Sequence, residues 1–165
     1  MTAFVSAGLL LTASAKDGNW GIYRDERFGF ILVFPADVFN WRGQSQNGNG
    51  AEFISRDGRA KLNVFAAFNT DKAGLIEYRE AVLRGFAGYD KLEYGPLGQS
   101  WFVLSGARDL SIYYQKVLFA CGGRIINAFA LTYPKEQKRE YDAIVTGIEK
   151  KFRSTSGSAC YVPTR

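Results

Sequence analysis

The sequence predicts a single α+β domain, with helices packed on a mainly antiparallel sheet and the element order ββ-ββ-α-ββββ-α. Eight apolar runs fall in blocks typical of hairpins, and only two segments repeat their apolar residues with helical spacing. Helices that separate blocks of hairpins, and do not alternate with single strands, favour antiparallel pairing. The 165 residues are 47% hydrophobic and 22% charged, which is the composition of one soluble globular domain.

The first four predicted strands form two hairpins and occupy residues 20–23, 28–35, 51–55 and 62–68. The charged residues 24–27 turn the first hairpin, and the Asp57-Gly58 pair, typical of a type I′ turn, turns the second. Both faces of 28–35 are apolar, which predicts a central strand covered on both sides. Between the hairpins, residues 40–50 (NWRGQSQNGNG) are rich in glycine and amides and are predicted to form a loop.

A helix and four more strands are predicted next. Apolar residues recur with helical spacing from 72 to 86, and one face carries Leu75, Tyr78, Val82 and Phe86. The apolar runs that follow predict strands at 89–94, 101–105, 112–121 and 124–133. The Gly122-Gly123 pair joins the last two strands, because glycine supplies the positive φ of a tight hairpin.

A final helix is predicted after Pro134, which ends the last strand. Its apolar stripe consists of Tyr141, Ile144, Val145, Ile148 and Phe152. We therefore expect the domain to occupy residues 16–153 and a polar C-terminal tail to occupy residues 154–165.

The N-terminal residues have the pattern of a cleavable export signal. Residues 3–11 (AFVSAGLLL) are apolar and uncharged, and Ala13-Ser14-Ala15 follows as a small-residue cleavage site. The run is shorter than the roughly 20 residues that cross a bilayer as a helix. The sequence predicts a signal peptide at 1–15, a periplasmic or secreted protein, and no stable membrane insertion after the signal is removed. An N-terminal strand packed on the sheet is the alternative.

Two cysteines, Cys121 and Cys160, are predicted to form a structural disulfide, because export would bring them into an oxidising compartment. Two independent free thiols are the alternative. Cys160 lies in the polar tail, which has little apolar content to hold it, so a bridge would pin the tail to the hairpin at Gly122-Gly123.

Residues 23–35 (YRDERFGFILVFP) resemble the opening of PsbP-like and DcrB-like domains, in which an aromatic residue, a short polar turn and a Phe-Gly-Phe strand end at proline. The chain is also similar to a group of uncharacterised exported bacterial proteins that share Asn-Gly-x-Gly-x-x-Phe, which here spans 47–53. These resemblances imply a PsbP-like α/β/α sandwich whose members serve as accessory, assembly or binding modules. They supply no catalytic residue.

Several kinds of chemistry are excluded by composition and motif. The chain has no histidine, which removes Ser-His-Asp and Cys-His catalytic sets and HExxH zinc sites. The glycine-rich stretch 47–50 lacks the GK[ST] ending of a phosphate-binding loop. The net charge of +5 is interspersed along the chain and forms no dense basic stripe, so we expect no nucleic-acid partner. We expect no metal and no cofactor.

Polar and aromatic residues in or beside loops are the candidates for binding: Tyr23, Arg24, Arg27, Trp41, Arg42, Asn47, Asn49, Arg56 and Arg59. Trp20, Tyr89 and Tyr94 are loop-side aromatic residues of the same kind. Aromatic rings beside arginine suit a protein-binding surface, although such rings also cap sheet edges. The predicted function is an exported, non-enzymatic accessory or binding module that contacts a protein or a cell-envelope component.

A carboxylate-dependent hydrolase acting on envelope glycans is the alternative function. Such an enzyme would need two of Glu52, Asp57, Asp90 and Glu93 at facing positions of a cleft, with one of them buried.

Overall fold

A computed structural model describes residues 18–85 and 91–161 of the chain. These residues contain ten strands and two α-helices, joined by turns and short 3-10 segments. The strands are β1 (Trp20–Asp25), β2 (Phe30–Pro35), β3 (Phe39–Gln44), β4 (Gly50–Ser55), β5 (Lys61–Phe68), β6 (Lys91–Tyr94), β7 (Trp101–Arg108), β8 (Ser111–Ala120), β9 (Ile125–Pro134) and β10 (Arg153–Ser154). The helices are α1 (Leu75–Gly85) and α2 (Lys138–Lys151). The predicted signal peptide at 1–15 lies outside the described residues, as do Phe86, Tyr89 and Asp90.

The strands form two sheets in which every pairing is antiparallel. The large sheet has the strand order β3-β4-β5-β9-β8-β7-β6, and the small sheet has the order β1-β2-β10. The long strand β9 lies at the centre of the large sheet, between β5 and β8. The predicted α+β class and the predicted antiparallel sheet are confirmed.

The two faces of the large sheet are covered differently, which gives the fold three layers. On one face, the main core joins strand residues such as Leu62 and Phe129 to Leu32 of β2 and Ile148 of α2. On the other face, α1 packs through Leu75, Tyr78, Val82 and Leu83 on a smaller cluster that includes Phe102, Val117 and Ile126. The apolar stripe of the final helix is confirmed, because Tyr141, Val145, Ile148 and Phe152 are buried.

The prediction of a loop over residues 40–50 is wrong for its first half. Residues 39–44 form β3, the edge strand of the large sheet, which pairs Trp41 with Phe53 and Gly43 with Glu52 across a bulge at Arg42. Only residues 45–49 turn back toward β4. Because an edge strand exposes most of its side chains, β3 lacks the apolar alternation that signals a half-buried strand.

The C-terminal residues pack on the turn between β1 and β2. Strand β10, which includes Ser154 of the predicted tail, pairs with β2. The backbone N–H of Thr155 then donates to the carbonyl of Gly29 at 2.7 Å, and that of Ala159 donates to the carbonyl of Arg27 at 2.8 Å. Gly29 has a φ of 68°, and a side chain there would meet backbone atoms of Thr155 and Gly157. These hydrogen bonds hold the segment as far as residue 159 without help from an apolar stripe.

A disulfide joins Cys121 to Cys160, with the two Cα atoms 5.5 Å apart. The predicted pairing is therefore confirmed. Cys121 begins the 3-10 turn Cys121–Gly123, and Gly122 and Gly123 have φ values of 66° and 85°. The two glycines connect β8 to β9 as predicted, and the disulfide fastens this turn to the C-terminal segment.

Candidate functional site

The structure separates two of the nine predicted binding residues from the other seven. Arg56 and Arg59 lie in the turn that follows β4. The others lie on the edge strands or at the opposite end, in β1, in the turn after β1, in β3 or in the loop before β4: Tyr23, Arg24, Arg27, Trp41, Arg42, Asn47 and Asn49. The nine residues therefore do not form one surface. The two edge strands are connected by the hydrogen bond of Tyr23 with Gln44, whereas Arg24 and Arg27 lie beside the C-terminal residues 155–158.

Tyr23 connects the open edges of the two sheets. It belongs to β1, the edge of the small sheet, and its side chain hydrogen-bonds to Gln44 of β3, the edge of the large sheet. Its ring meets that of Phe53 edge-on, with the ring centroids 6.1 Å apart. Burial, more than the nearby Asp25, raises the pKa of the Tyr23 hydroxyl. The residue holds the edges together and is only half exposed, so its first role is structural.

Two large apolar side chains are exposed on these edge strands. Trp41 of β3 has 62% of its surface exposed, and Ile22 of β1 has 59% exposed. Arg24 and Arg42 are exposed one or two positions away on the same strands. We call these four side chains, Ile22, Arg24, Trp41 and Arg42, the edge surface. Ile22 and Arg24 alternate with Tyr23 along β1, so they lie on the outer face of the small sheet. Trp41 and Arg42 lie on the neighbouring edge of the large sheet. Beside it, Arg42, Gln44 and Glu52 contribute to an open cavity of about 530 Å³.

The two predicted asparagines differ in what they contact. The Asn49 carboxamide accepts a hydrogen bond from Ser45 Oγ at 2.8 Å and donates one to the carbonyl of Ala66 at 2.6 Å. These bonds tie the loop before β4 to the end of β5, so Asn49 shapes the loop. Asn47 is exposed at the tip of the same loop.

The remaining predicted arginines are engaged within the fold to different degrees. Arg59 forms an ion pair with Glu136, which raises the pKa of the guanidinium and lowers that of the carboxyl. Arg27 lies over the rings of Phe28 and Phe68, with its guanidinium carbon 4.9 Å and 5.9 Å from their centroids. Arg56 is exposed in the turn.

A second concave surface was not predicted. It lies between α2 and strands β6, β7 and β8, and its volume is about 440 Å³. We call it the tyrosine cleft, because Tyr94, Tyr114 and Tyr133 line it together with Glu93, Asp142 and Glu149. The sequence pattern places Tyr114 and Tyr133 within apolar strands, where an aromatic residue indicates a core position. Only the register of β8 and β9 and the placement of α2 bring their hydroxyl groups to one cleft.

The carboxylates of the alternative hydrolase do not form a buried pair in the described part of the chain. Glu52 of β4 forms an ion pair with Lys61, with 3.3 Å between the charged atoms. Asp57 is exposed in the turn after β4, and Glu93 is exposed on β6. Asp90 lies outside the described residues. Within residues 18–85 and 91–161, no group of three or more acidic or cysteine side chains could hold a metal ion. Neither of the two described helices is long and apolar enough to cross a membrane.

Comparison with known proteins finds similarity at the level of structure. No family model and no curated sequence matches the chain. The solution structure of the cyanobacterial PsbP of Synechocystis sp. PCC 6803 superposes with a TM-score of 0.60 and 14% identity, covering 91% of this chain and 98% of that one. The Ran-binding protein Mog1p of Saccharomyces cerevisiae superposes with a TM-score of 0.59 and 13% identity, covering 88% and 100%.

A point mutant of the protein Mog1 is similarly close, with a TM-score of 0.58 and 13% identity over 86% of this chain and 99% of that one. Identity at this level establishes the fold and leaves function to be argued from the sites. The chain therefore has the PsbP-like α/β/α sandwich fold, as the resemblance in residues 23–35 implies.

Proposed function

We propose that this protein is an exported, non-enzymatic binding module that contacts a partner protein through the edge surface. The observation that carries the proposal is the exposure of Trp41 and Ile22 on the open edge strands of two sheets that Tyr23 and Gln44 connect. Tryptophan and arginine are the residues that most often dominate the binding energy of protein interfaces.

The edge strands suit a protein partner more than a small ligand. Among the described strands, β1 and β3 each pair on one side only, so the backbone N–H and C=O groups of the other side are available to an extended segment of another chain. The bulge at Arg42 interrupts the edge of β3 and places a charge there, which disfavours pairing of two copies through the same edge. Arg24 and Arg42 favour a partner with acidic residues beside its apolar contact.

Export is the second part of the proposal. The disulfide between Cys121 and Cys160 is stable in a periplasmic or extracellular space, where thiols are not kept reduced. Together with the signal pattern at 1–15, it supports a periplasmic or secreted location. Mog1p, which shares the fold, is a Ran-binding protein, so the sandwich can present a protein-binding surface.

Site-specific photocrosslinking tests the binding surface. The photoreactive residue p-benzoylphenylalanine would replace Trp41 in one variant and Ile76, which is 53% exposed on α1, in a control variant. We expect a discrete, protease-sensitive adduct from position 41 only, and we expect Arg42→Glu to reduce its yield. Identical adducts from both positions, or adducts that a glycosidase and not a protease removes, would contradict the proposal.

The amino terminus of the native protein tests export. Removal of residues 1–15 would leave Lys16 as the first residue, which an intact mass would show. Recovery of the full-length chain from the cytoplasm would contradict the export part and leave the edge surface to be judged by the crosslinks.

A further inference from the structure

The tyrosine cleft lies away from the edge surface, at the opposite edge of the large sheet. It is bordered by β6, whereas the edge surface includes β3, and these strands are the two opposite edges of that sheet. What the cleft binds is therefore a separate question from what contacts Trp41.

Tyr133 presents an unused hydroxyl to this cleft. Its side chain is only 3% exposed, and its ring stacks on Tyr141 with 4.8 Å between the centroids, which fixes its position. Among the residues that the structure describes, none hydrogen-bonds to this hydroxyl, although the residue lines the cleft. The hydroxyl oxygen is not itself fully buried and reaches the solvent of the cleft, where the described residues offer it no hydrogen-bond partner. A polar group of a ligand would supply one.

Tyr114 lines the same cleft, but its hydroxyl, unlike that of Tyr133, has a hydrogen-bond partner in the protein. Its hydroxyl donates to Glu149 Oε2 at 2.7 Å, and Lys116 Nζ lies 3.3 Å from the other carboxylate oxygen. Each carboxylate oxygen of Glu149 therefore already has a partner. The hydrogen-bonding capacity left in the cleft belongs to Tyr133, to the carboxylates that face it and to the hydroxyl groups of Ser105 and Thr146.

The charge of the cleft is opposite to that of the whole protein. Glu93, Asp142 and Glu149 line the cleft, and Lys138 is the one basic residue among the described side chains that line it, in a chain whose net charge is +5. Asp142 pairs with Lys138 at 2.7 Å in an exposed i,i+4 bridge, which is a weak interaction. Glu93 forms no ion pair within the described residues. Both Asp142 and Glu93 act on Tyr133, since their charges help raise its pKa.

We propose that the tyrosine cleft binds a primary ammonium or guanidinium group, with the Tyr133 hydroxyl and the carboxylates of Glu93 and Asp142 as its acceptors. The exposed ring of Tyr94 lies at the same cleft and offers an aromatic face, which also attracts cations. A lysine or arginine side chain of a partner and a free polyamine share this chemistry.

Titration followed by NMR of tyrosine rings labelled with ¹³C tests the proposal on the purified protein with its disulfide formed. The probes are n-butylammonium, n-propylguanidinium, spermidine, and a peptide with one central lysine and its norleucine counterpart. We expect the cationic probes to shift the Tyr133 and Tyr94 signals saturably and the norleucine peptide to leave them unchanged. Tighter binding of the lysine peptide than of spermidine identifies a side chain of a partner as the source, and the reverse order identifies a polyamine.

Three variants separate this proposal from a merely structural role. Tyr133→Phe keeps the ring stack and Glu93→Gln keeps the shape, and each is expected to weaken binding about tenfold, the effect of one charge-assisted hydrogen bond. Lys138→Gln frees the Asp142 carboxylate and is expected to strengthen binding. The matched controls Tyr78→Phe and Glu80→Gln, both on α1, should bind as the unmodified protein does.

The proposal is overturned if no cationic probe gives a saturable shift up to about 50 mM. It is also overturned if Tyr133→Phe and Glu93→Gln bind as tightly as the controls, or if the norleucine peptide shifts the same signals. None of these results bears on the crosslinks from Trp41, so the two proposals can fail independently.

Discussion

The side-chain amide of Asn127, in the central strand of the large sheet, donates a hydrogen bond to the backbone carbonyl of Gly29 at 3.2 Å. The same amide nitrogen lies 3.1 Å from Ser154 Oγ. One fully buried polar residue thus fastens the turn after β1 and the short strand β10 to the middle of the sheet. The three segments are far apart in the sequence, with Gly29 98 residues and Ser154 27 residues from Asn127, so this contact fixes how the small sheet lies on the large one.

Asn127→Ala removes both hydrogen bonds and leaves the Gly29 carbonyl without this donor. We expect the free energy of unfolding to fall by about 1–3 kcal/mol, the usual cost of an unmade buried hydrogen bond. Urea unfolding followed by tryptophan fluorescence measures it. The control Asn47→Ala, at an exposed loop tip, should change the value by less than about 0.5 kcal/mol. Equal effects of the two substitutions would show that Asn127 does not fasten the sheets.

Gly29→Ala is expected to destabilise the protein more than Gly58→Ala does. Both glycines have a positive φ, 68° and 73°, so each substitution carries about 1–2 kcal/mol of backbone strain. A side chain at position 29 would also meet backbone atoms of Thr155 and Gly157, whereas position 58 opens to solvent. The difference in the free energy of unfolding should be about 1–3 kcal/mol. No difference in denaturant melts would mean that residues 155–157 do not pack on this turn in solution.

Ile148→Ala in α2 should cost about 2–5 kcal/mol, because Ile148 is fully buried between the helix and the sheets. Ile76→Ala in α1 removes the same atoms from a side chain that is 53% exposed and serves as the control. Thermal and urea melts of both variants measure the effect. A loss below about 0.5 kcal/mol for Ile148→Ala would show that α2 is not docked.

Removal of the disulfide by the double substitution Cys121→Ala and Cys160→Ala is expected to lower the free energy of unfolding by about 4 kcal/mol. The bridged residues are 39 apart, and a loop of that length has this closing entropy in the unfolded chain. Titration of the unfolded, non-reduced protein should find no free thiol. Two titratable thiols would contradict the bridge, whatever the stability of the variant.

Alkaline pH should destabilise the protein through its buried tyrosines. Burial, with Asp142 and Glu93, raises the pKa of Tyr133 to about 12 from the ordinary 10.0. The unfolded chain therefore releases this proton first, so the stability is present below pH 10 and falls as the pH rises toward 12. Tyr133→Phe should lose less stability than the unmodified protein between about pH 10 and pH 12. A difference of zero in paired urea melts would contradict the raised pKa.

Periodicity predicts the elements whose residues face a core on one side, which is why the hairpins at Asp57-Gly58 and Gly122-Gly123 and the stripe of α2 are read correctly. Strand β3 is missed because an edge strand is exposed on most sides and has no alternating pattern. The attachment of residues 155–159 is missed for another reason, since it depends on backbone hydrogen bonds, which leave no periodic pattern of side chains.

The sequence predicts residues of the edge surface but not the tyrosine cleft. Trp41 and Arg42 are recognisable because an aromatic residue beside arginine in a polar segment suits binding. Arg59 has the same appearance, yet it pairs with Glu136, a residue 77 positions away. The tyrosine cleft depends on such distant pairs throughout, as with Tyr114 and Glu149, and no local pattern records them.

The central place of β9 determines the order in which the fold can be assembled. Strand β5 pairs with β9 from Lys61 opposite Thr132 to Phe68 opposite Ile125, so one side of β5 remains unpaired until those later residues have been synthesised. Until β9 has been synthesised, β5 has only β4 as a partner. Asn127 is also not yet present to donate a hydrogen bond to Gly29 in the turn after β1. The chain therefore completes its large sheet only after most of it has left the ribosome, so the folded sheet forms late in synthesis.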